Sequence, residues 1–174
     1  GRYALYQMRE TSELIREILP PADYQQRNGF TNDSIILSLS EQEKVAVEKK
    51  LITILKFSDD TLIGETLAFM KSKDSLPSLR KKLSQTSKPV LRILWSSYIN
   101  QIKEGDQEMK DIAFEEFKRV RGKYSLIPLF WTLKSFCDER INERIGKYIN
   151  HKDSLVSYNA RVALGLPTDT KREK

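Results

Sequence analysis

The chain has 174 residues, 39% of them apolar and 31% charged, and its 30 Lys and Arg against 24 Asp and Glu give a net charge of +6. This length favours a single domain with an apolar core, and the composition disfavours a disordered chain. The single cysteine, Cys137, and the single histidine, His151, exclude an internal disulfide, a zinc cluster of Cys and His ligands and a catalytic pair of histidines. The sequence also contains no Gly-rich phosphate loop, dinucleotide fingerprint, metal-ligand spacing or nucleophile elbow, so we predict no catalytic residue, no cofactor, no metal ion and no enzyme activity.

No apolar run approaches the roughly 18 residues that a bilayer span requires, so no membrane partner is expected. A chain with one cysteine fits a reducing compartment, and the sequence predicts a cytoplasmic location. The chain begins with Gly1 rather than Met. A signal peptide removed upstream therefore stays open as an alternative.

The first third of the chain has an irregular pattern. We expect two short helices, from Arg2 to Met8 and from Ser12 to Leu19, with a Pro-Pro pair ending the second one. The stretch from Ala22 to Ser38 is predicted to be either an irregular loop or a distorted helix.

Regular helical periods begin in the middle of the chain. Ser40 and Glu43 have the spacing of a capping box, in which each side chain bonds the backbone N–H of the other residue, so a helix should begin there. Further helices are predicted from acidic caps, from proline in a first turn and from glycine at a C-terminus. The later helices open at Ser58 to Asp60, Leu76, Pro89 and Asp106, and three more lie at 125–136, at 138–150 and around 155–164.

Apolar side chains at helical spacing are expected to form the core. Trp95 and Trp131 stand beside other apolar residues and are predicted to be core residues. Cys137 is interpreted as a small structural residue and His151 as a surface residue. The side chains expected to be buried between neighbouring helix pairs are Leu67, Leu79, Leu83, Ile112, Ile145 and Ala160.

The later helices recur along the chain. Ile63, Leu91, Ile127 and Val156 occupy similar places in successive pairs of helices, at steps of 28, 36 and 29 residues. A period of about 20–50 residues with two helices per unit indicates an α-solenoid, because one pair cannot bury its own apolar face and must stack on its neighbours.

The segment from Asp153 to Gly165 combines an acidic cap, paired aliphatic residues, a small residue and a closing Ala-Leu-Gly. The segment from Asp60 to Met70, followed by Lys73 to Leu79, has the pattern of a complete helix pair, and Pro89 to Arg92 ends on an arginine that is characteristic of such units. These segments resemble the HEAT-like repeats, especially the short bacterial kind, and the resemblance covers 58–166 best.

The resemblance implies both a fold and a domain organisation. The expected fold is all-α, a right-handed α-α superhelix of HEAT-like helix pairs. The chain would be one α-solenoid domain over 1–174, with irregular N-terminal repeats at 1–57, regular repeats at 58–166 and a tail at 167–174.

Positive charge is concentrated in the repeats. Residues 1–60 hold 8 basic and 10 acidic residues, a net charge of −2, whereas residues 61–174 hold 22 and 14, a net charge of +8. By the resemblance, the second helix of each pair lines the concave side. Glutamates such as Glu115 and Glu139 stand among the cations, so an ordinary solvated surface of mixed charge is the open alternative. The residues predicted to form a partner-binding surface are Arg80, Lys81, Lys118, Arg121, Arg140, Arg144 and Lys147.

Two function classes follow from this pattern. The favoured one is a non-catalytic scaffold or adaptor that binds another protein with an acidic surface through the basic concave helices, as α-solenoids generally do. The alternative is nucleic-acid binding, with DNA glycosylase activity as the runner-up to the absence of enzyme activity, because the resemblance includes DNA-repair glycosylases that have a basic concave face. Trp131 is followed by Thr132 rather than a carboxylate, and a net charge of +6 gives a weak footprint for phosphates, so this alternative ranks second.

Overall fold

The computed structural model describes residues 8–25 and 30–168, and these residues form α-helices, one 3-10 turn and no β-strand. The all-α class is therefore confirmed. The helix predicted from Arg2 to Met8 lies outside the described residues except for Met8 itself, which is not helical. The chain divides into two compact units, Gly1–Leu79 and Arg80–Lys174.

The first unit is built from short helices followed by one long helix. The stretch predicted to be irregular contains two helical segments of four and five residues. Its helices are α1 Thr11–Ile18, α2 Ala22–Gln25, α3 Asp33–Leu37, α4 Glu41–Leu55 and α5 Thr61–Phe69, followed by a 3-10 turn at Lys73–Ser75. Helix α6, Leu76–Ser84, follows that turn and continues into the second unit.

The predicted capping box at the start of α4 is confirmed. Ser40 Oγ accepts from the Glu43 amide at 3.1 Å, and Glu43 Oε1 accepts from the Ser40 amide at 2.8 Å. The same carboxylate accepts from the Arg9 amide at 2.8 Å and from Arg9 Nε at 3.2 Å. The Arg9 side chain, aided by the Ser40 and Arg9 amides, lowers the pKa of Glu43 to about 2. One carboxylate therefore both begins α4 and holds the segment that precedes α1.

A buried asparagine joins three parts of the first unit. Asn32, only 3% exposed, precedes α3. Its Nδ2 donates to the Ile18 carbonyl oxygen at 3.0 Å and to Thr66 Oγ1 at 2.9 Å. Thr66 Oγ1 in turn donates to the Leu62 carbonyl oxygen at 2.7 Å. A buried amide is costly unless it is hydrogen-bonded, so these bonds fix α3 against the end of α1 and the middle of α5.

The second unit contains the more regular helices. Helix α7 packs against α8, α9 packs against α7, α10 and α11, and α10 also packs against α8 and α11. Aspartates cap three of these helices: Asp106, Asp138 and Asp153 accept from backbone amides in the first turns of α8, α10 and α11. The helices are α7 Pro89–Ile102, α8 Gln107–Phe117, α9 Lys123–Lys134, α10 Glu139–Gly146 and α11 Ser154–Leu164.

Most of the predicted core residues are buried, and Trp95 is 2% exposed. Ile112 is only half-buried, so its prediction is wrong, because the buried side of α8 is formed by Met109, Ala113 and Phe117 at intervals of four residues. The five predicted residues that are buried are Leu67, Leu79, Leu83, Ile145 and Ala160.

The prediction that Trp131 is a core residue is also wrong. Its side chain is 61% exposed, whereas Phe130 is 0% exposed. Successive residues of a helix are separated by about 100° around its axis, so the neighbour of a buried residue need not be buried. The buried side of α9 passes through Leu126, Phe130 and Leu133, and Trp131 lies on the opposite side of the helix.

Candidate functional site

The seven predicted surface residues all lie in the second unit. We call them the second-helix surface, because they lie on α6, on α10 and at the C-terminal end of α8. Arg80 and Lys81 are on α6, and Lys118 and Arg121 follow α8. Arg140 and Arg144 are on α10, and Lys147 is its C-cap.

Two arginines of this surface join its helices. Arg80 Nη1 on α6 lies 3.3 Å from Glu108 Oε1 on α8. Arg140 Nη2 on α10 lies 2.7 Å from Asp111 Oδ1, also on α8. Helix α8 is therefore connected on either side by an ion pair with a basic residue of a neighbouring helix.

Arg140 is the most extensively paired residue of the surface. Its Nη2 and Nε also donate to Asp138 at 3.0 Å and 3.2 Å. Asp138 caps α10 by accepting from the Ile141 amide at 3.1 Å. Hydrogen bonds from Arg140 lower the pKa of both Asp138 and Asp111, so both carboxylates stay charged in mildly acidic solution. Two carboxylates thus offset the charge of Arg140, which leaves little of it for a partner.

Aromatic rings support three of the cations. Lys118 Nζ lies 4.6 Å from the centre of the Phe114 ring, and Arg140 Cζ lies 4.8 Å from the same ring. Arg144 Cζ lies 5.4 Å from the centre of the Phe117 ring, which is fully buried. Cation–π contacts of this kind fix the direction of a flexible side chain as well as attracting its charge. The cations around α8 are therefore held in defined positions.

The other cations of the second-helix surface differ in the groups with which they pair. Lys118 Nζ pairs with Glu115 at 3.0 Å. Arg121 Nη1 donates to the carbonyl oxygens of Lys118 and Val120 at 2.8 Å and 3.1 Å, which closes the turn before α9. In the part of the chain that the structure describes, four members pair with no carboxylate. They are Lys81, Arg121, Arg144 and Lys147.

A second ionic cluster was not predicted from the sequence. Glu116 on α8 is 9% exposed and accepts from Arg92 Nε at 2.8 Å and from Arg119 Nη1 at 2.7 Å. Arg92 Nη1 also donates to the carbonyl oxygens of Leu83 and Thr86, at 2.8 Å and 3.2 Å. Arg92 is the arginine that the repeat resemblance singled out, and here it holds α7, α8 and the end of α6 together. Its contacts give it a structural role.

A group of exposed apolar side chains was also missed. Tyr124 and Trp131 on α9 are 83% and 61% exposed, and Leu155 and Tyr158 on α11 are 55% and 51% exposed. The signal in the sequence was the spacing of Tyr124 and Trp131, which places them two turns apart on one face of the helix. Apolar periodicity alone gave no reason to place that face outside the core.

The single cysteine and the single histidine of the chain lie between helices. Cys137 is exposed and has a φ of 53° at the end of α9, and His151 Nδ1 accepts from the Asp153 amide at 3.0 Å. Within residues 8–25 and 30–168, no three His, Cys, Asp or Glu residues are arranged to hold a metal ion. Among the described helices, none combines the length and the apolar character needed to cross a bilayer.

Comparisons of the chain with protein-family models, with curated proteins and with solved structures found no match.

Proposed function

We propose that this chain is a non-catalytic scaffold or adaptor that binds an acidic surface of another protein through its second-helix surface. The observation that carries the proposal is that some cations of the surface hold its helices together while others remain unpaired. Arg80 and Arg140 hold the helices through ion pairs, whereas Lys81 and Lys147 are exposed and pair with no carboxylate among the described residues. Because ion pairs already hold the helices, binding requires little ordering of the backbone, and only the lysine side chains lose rotamer freedom.

The packing of the second unit supports the repeat arrangement that the sequence predicts. First helices α7, α9 and α11 contact in series, and second helices α8 and α10 contact each other. This is the neighbour pattern expected of stacked helix pairs, in which each pair buries its apolar face against the next. We propose on this basis that the pairs belong to a right-handed HEAT-like superhelix.

The electrostatics of the surface support a protein partner more than a nucleic acid. Three of its seven cations already pair with carboxylates, namely Arg80, Lys118 and Arg140. Affinity for a phosphate backbone depends on the number of phosphates that free cations neutralise. The four remaining cations can neutralise only a small number of phosphates, and they are better suited to an acidic protein patch, where charge mainly raises the association rate.

The test begins with affinity capture from a native extract, with and without nuclease. For a captured protein, affinity is then measured across a salt series for the wild type and for the double variant Lys81→Glu with Lys147→Glu. We expect nuclease-resistant capture, an affinity that falls as salt rises, and a further loss of about tenfold in the variant at low salt. The two lysines are chosen because they are exposed and their loss removes no ion pair of the described residues.

The matched control is Lys49→Glu with Lys50→Glu, which makes the same change of charge at two exposed lysines of α4 in the first unit. Binding by the control should equal that of the wild type. Weaker binding by the control with unchanged binding by the surface variant would contradict the proposal. Capture that disappears with nuclease would replace it with the nucleic-acid alternative.

A further inference from the structure

The second unit carries a second candidate interface, on α9 and α11. Its members are Tyr124, Pro128 and Trp131 on α9, and Leu155 and Tyr158 on α11, and all five are exposed. We call this group the aromatic face. It shares no residue with the second-helix surface.

The exposed residues of α9 share one side of the helix. Tyr124, Pro128 and Trp131 are separated by four and three residues, the spacing at which side chains stand above one another. The opposite side of α9 is already filled by buried residues such as Leu126 and Leu133. The aromatic side chains therefore contribute little to the core of the unit.

The two parts of the aromatic face lie on neighbouring helices. Helix α9 packs against α11, and Lys123 Nζ lies 2.8 Å from Asp153 Oδ2, which joins the starts of the two helices. Tyr124 directly follows Lys123, and Leu155 follows Asp153 by two residues. The exposed residues of α9 and α11 thus begin at the same end of two packed helices.

Several exposed apolar side chains on neighbouring helices indicate an interaction site more often than a single exposed side chain does. Soluble proteins rarely expose contiguous large apolar side chains, and Trp and Tyr are the residues that most often dominate binding at interfaces. Phe57 is 87% exposed in the first unit and provides a comparison, because it is a single ring preceded by Lys56 and followed by Ser58. The aromatic face differs in having several such residues on two packed helices.

The charged residues on the two helices of the aromatic face are all positive. Neither α9 nor α11 contains an Asp or Glu, and residues 118–137 contain none. Lys134, three residues after Trp131, pairs with no carboxylate in the part of the chain that is described. Asp153 is held by Lys123, whose Nζ also lies 5.3 Å from the centre of the Tyr124 ring. A complementary partner must therefore combine apolar side chains with negative charge.

The same charges discriminate among occupants. A second copy docking through this face would bring like charges together, which opposes self-association. A nucleic-acid strand would find aromatic rings but few free cations, and Leu155 and Pro128 offer aliphatic surface rather than stacking surface. An acidic protein segment with large apolar side chains satisfies both features.

We propose that the aromatic face of α9 and α11 docks a short acidic protein segment, whose large apolar side chains pack on Trp131 and Tyr158 while its carboxylates face Lys134. This interface goes beyond the proposed function of the second-helix surface and is independent of it. Each surface can be removed without altering the residues of the other.

The experiment uses the full chain and a displayed library of random 16-residue peptides. Peptides are selected on the immobilised wild type after depletion on the double variant Trp131→Ala with Tyr158→Ala. We expect the recovered peptides to be enriched in Asp and Glu and to carry two or more large apolar residues. One recovered peptide is then synthesised, and its affinity should fall about tenfold or more in each single variant.

Intrinsic fluorescence gives a direct readout of contact. The chain has two tryptophans, and Trp95 is 2% exposed while Trp131 is 61% exposed, so acrylamide quenching reports mainly on Trp131. The bound peptide should reduce that quenching and shift the emission to shorter wavelength. The control variant Phe57→Ala removes a more exposed ring from the first unit and should bind the peptide as the wild type does.

Four outcomes would overturn the proposal. The first two are the recovery of no peptide and the recovery of peptides without acidic enrichment. The third is a loss of peptide affinity in Phe57→Ala equal to that in Trp131→Ala. The fourth is that a 20-nucleotide oligo-dT or phosphatidylserine vesicles bind the chain more tightly than the peptide does, and that Trp131→Ala abolishes this binding. Unfolding curves of all variants accompany the measurements. Since the substituted side chains are exposed, the curves should match that of the wild type.

Discussion

Arg140 and Asp111, which are 29 residues apart in the sequence, form a 2.7 Å ion pair that joins α10 to α8. The guanidinium also donates to Asp138, the N-cap of α10, at 3.0 Å. Arg140, which the sequence predicts to contact a partner, therefore connects the N-cap of α10 to α8. This explains why the binding test uses Lys81 and Lys147 rather than Arg140.

We predict that Arg140 and Asp111 are energetically coupled. Urea unfolding of Arg140→Gln, Asp111→Asn and the double variant should show a double-variant loss smaller than the sum of the single losses. Arg140→Gln should cost more than Asp111→Asn, because only the arginine also bonds Asp138. The coupling should shrink in about 0.5 M salt, since exposed ion pairs are screened. Strictly additive losses would show that the pair contributes nothing to stability.

Glu43 should make stability fall in acid. Its pKa is about 2 in the folded chain against 4.5 for an unperturbed glutamate, so the folded state binds its proton less readily. The contribution of the charged form is present above about pH 4.5 and is lost as the pH falls from there towards 2. Glu43→Gln should flatten the dependence of the unfolding free energy on pH across that window, as measured by urea unfolding.

The control for Glu43 is Glu41→Gln, two residues earlier in the same helix. The Glu41 side chain is 90% exposed, and among the described residues its one ion pair is with Lys44 at 3.4 Å. Its neutralisation should leave the acid slope nearly unchanged. Equal slopes for Glu43→Gln and the wild type would mean that the contacts with Arg9 do not persist in solution.

Two glycines should respond in opposite directions to the same substitution. Gly165 ends α11 with a φ of 72°, a left-handed conformation, whereas Gly146 ends α10 without a positive φ. An added Cβ meets no atom within 4 Å at either position, so only the backbone decides the outcome. Gly165→Ala should lose about 1 kcal/mol of unfolding free energy, and Gly146→Ala should gain about 0.5–1 kcal/mol. A loss of similar size at both positions would refute the assigned conformations.

The buried side of α5 gives a prediction about packing. Leu67 is 0% exposed, so Leu67→Ala should cost about 2–5 kcal/mol through lost burial and the cavity that remains. Leu37→Ala is the matched control, because Leu37 is 71% exposed and its truncation should change stability by less than about 0.5 kcal/mol. Chemical denaturation of both variants measures the difference. A small effect at Leu67 would contradict its placement in the core.

The sequence alone determined the features that depend on residues close together in the chain. The Ser40–Glu43 capping box involves groups three residues apart, and the Asp106 cap reaches the Met109 amide at 3.0 Å within the first turn of α8. Such bonds form within one turn, and so they can be recognised before any packing is known. The all-α class follows from the same local signals.

Only the tertiary structure decided which apolar and charged residues are available to a partner. Trp131 and Phe130 are adjacent and both aromatic, yet one is 61% exposed and the other is 0% exposed. That difference depends on which sides of α9 face α7, α10 and α11. Arg140 likewise looks free in the sequence, and its partner Asp111 becomes its neighbour only because α8 and α10 pack together. Burial and ion pairing between helices depend on distances across the fold, which the spacing of residues along one helix does not contain.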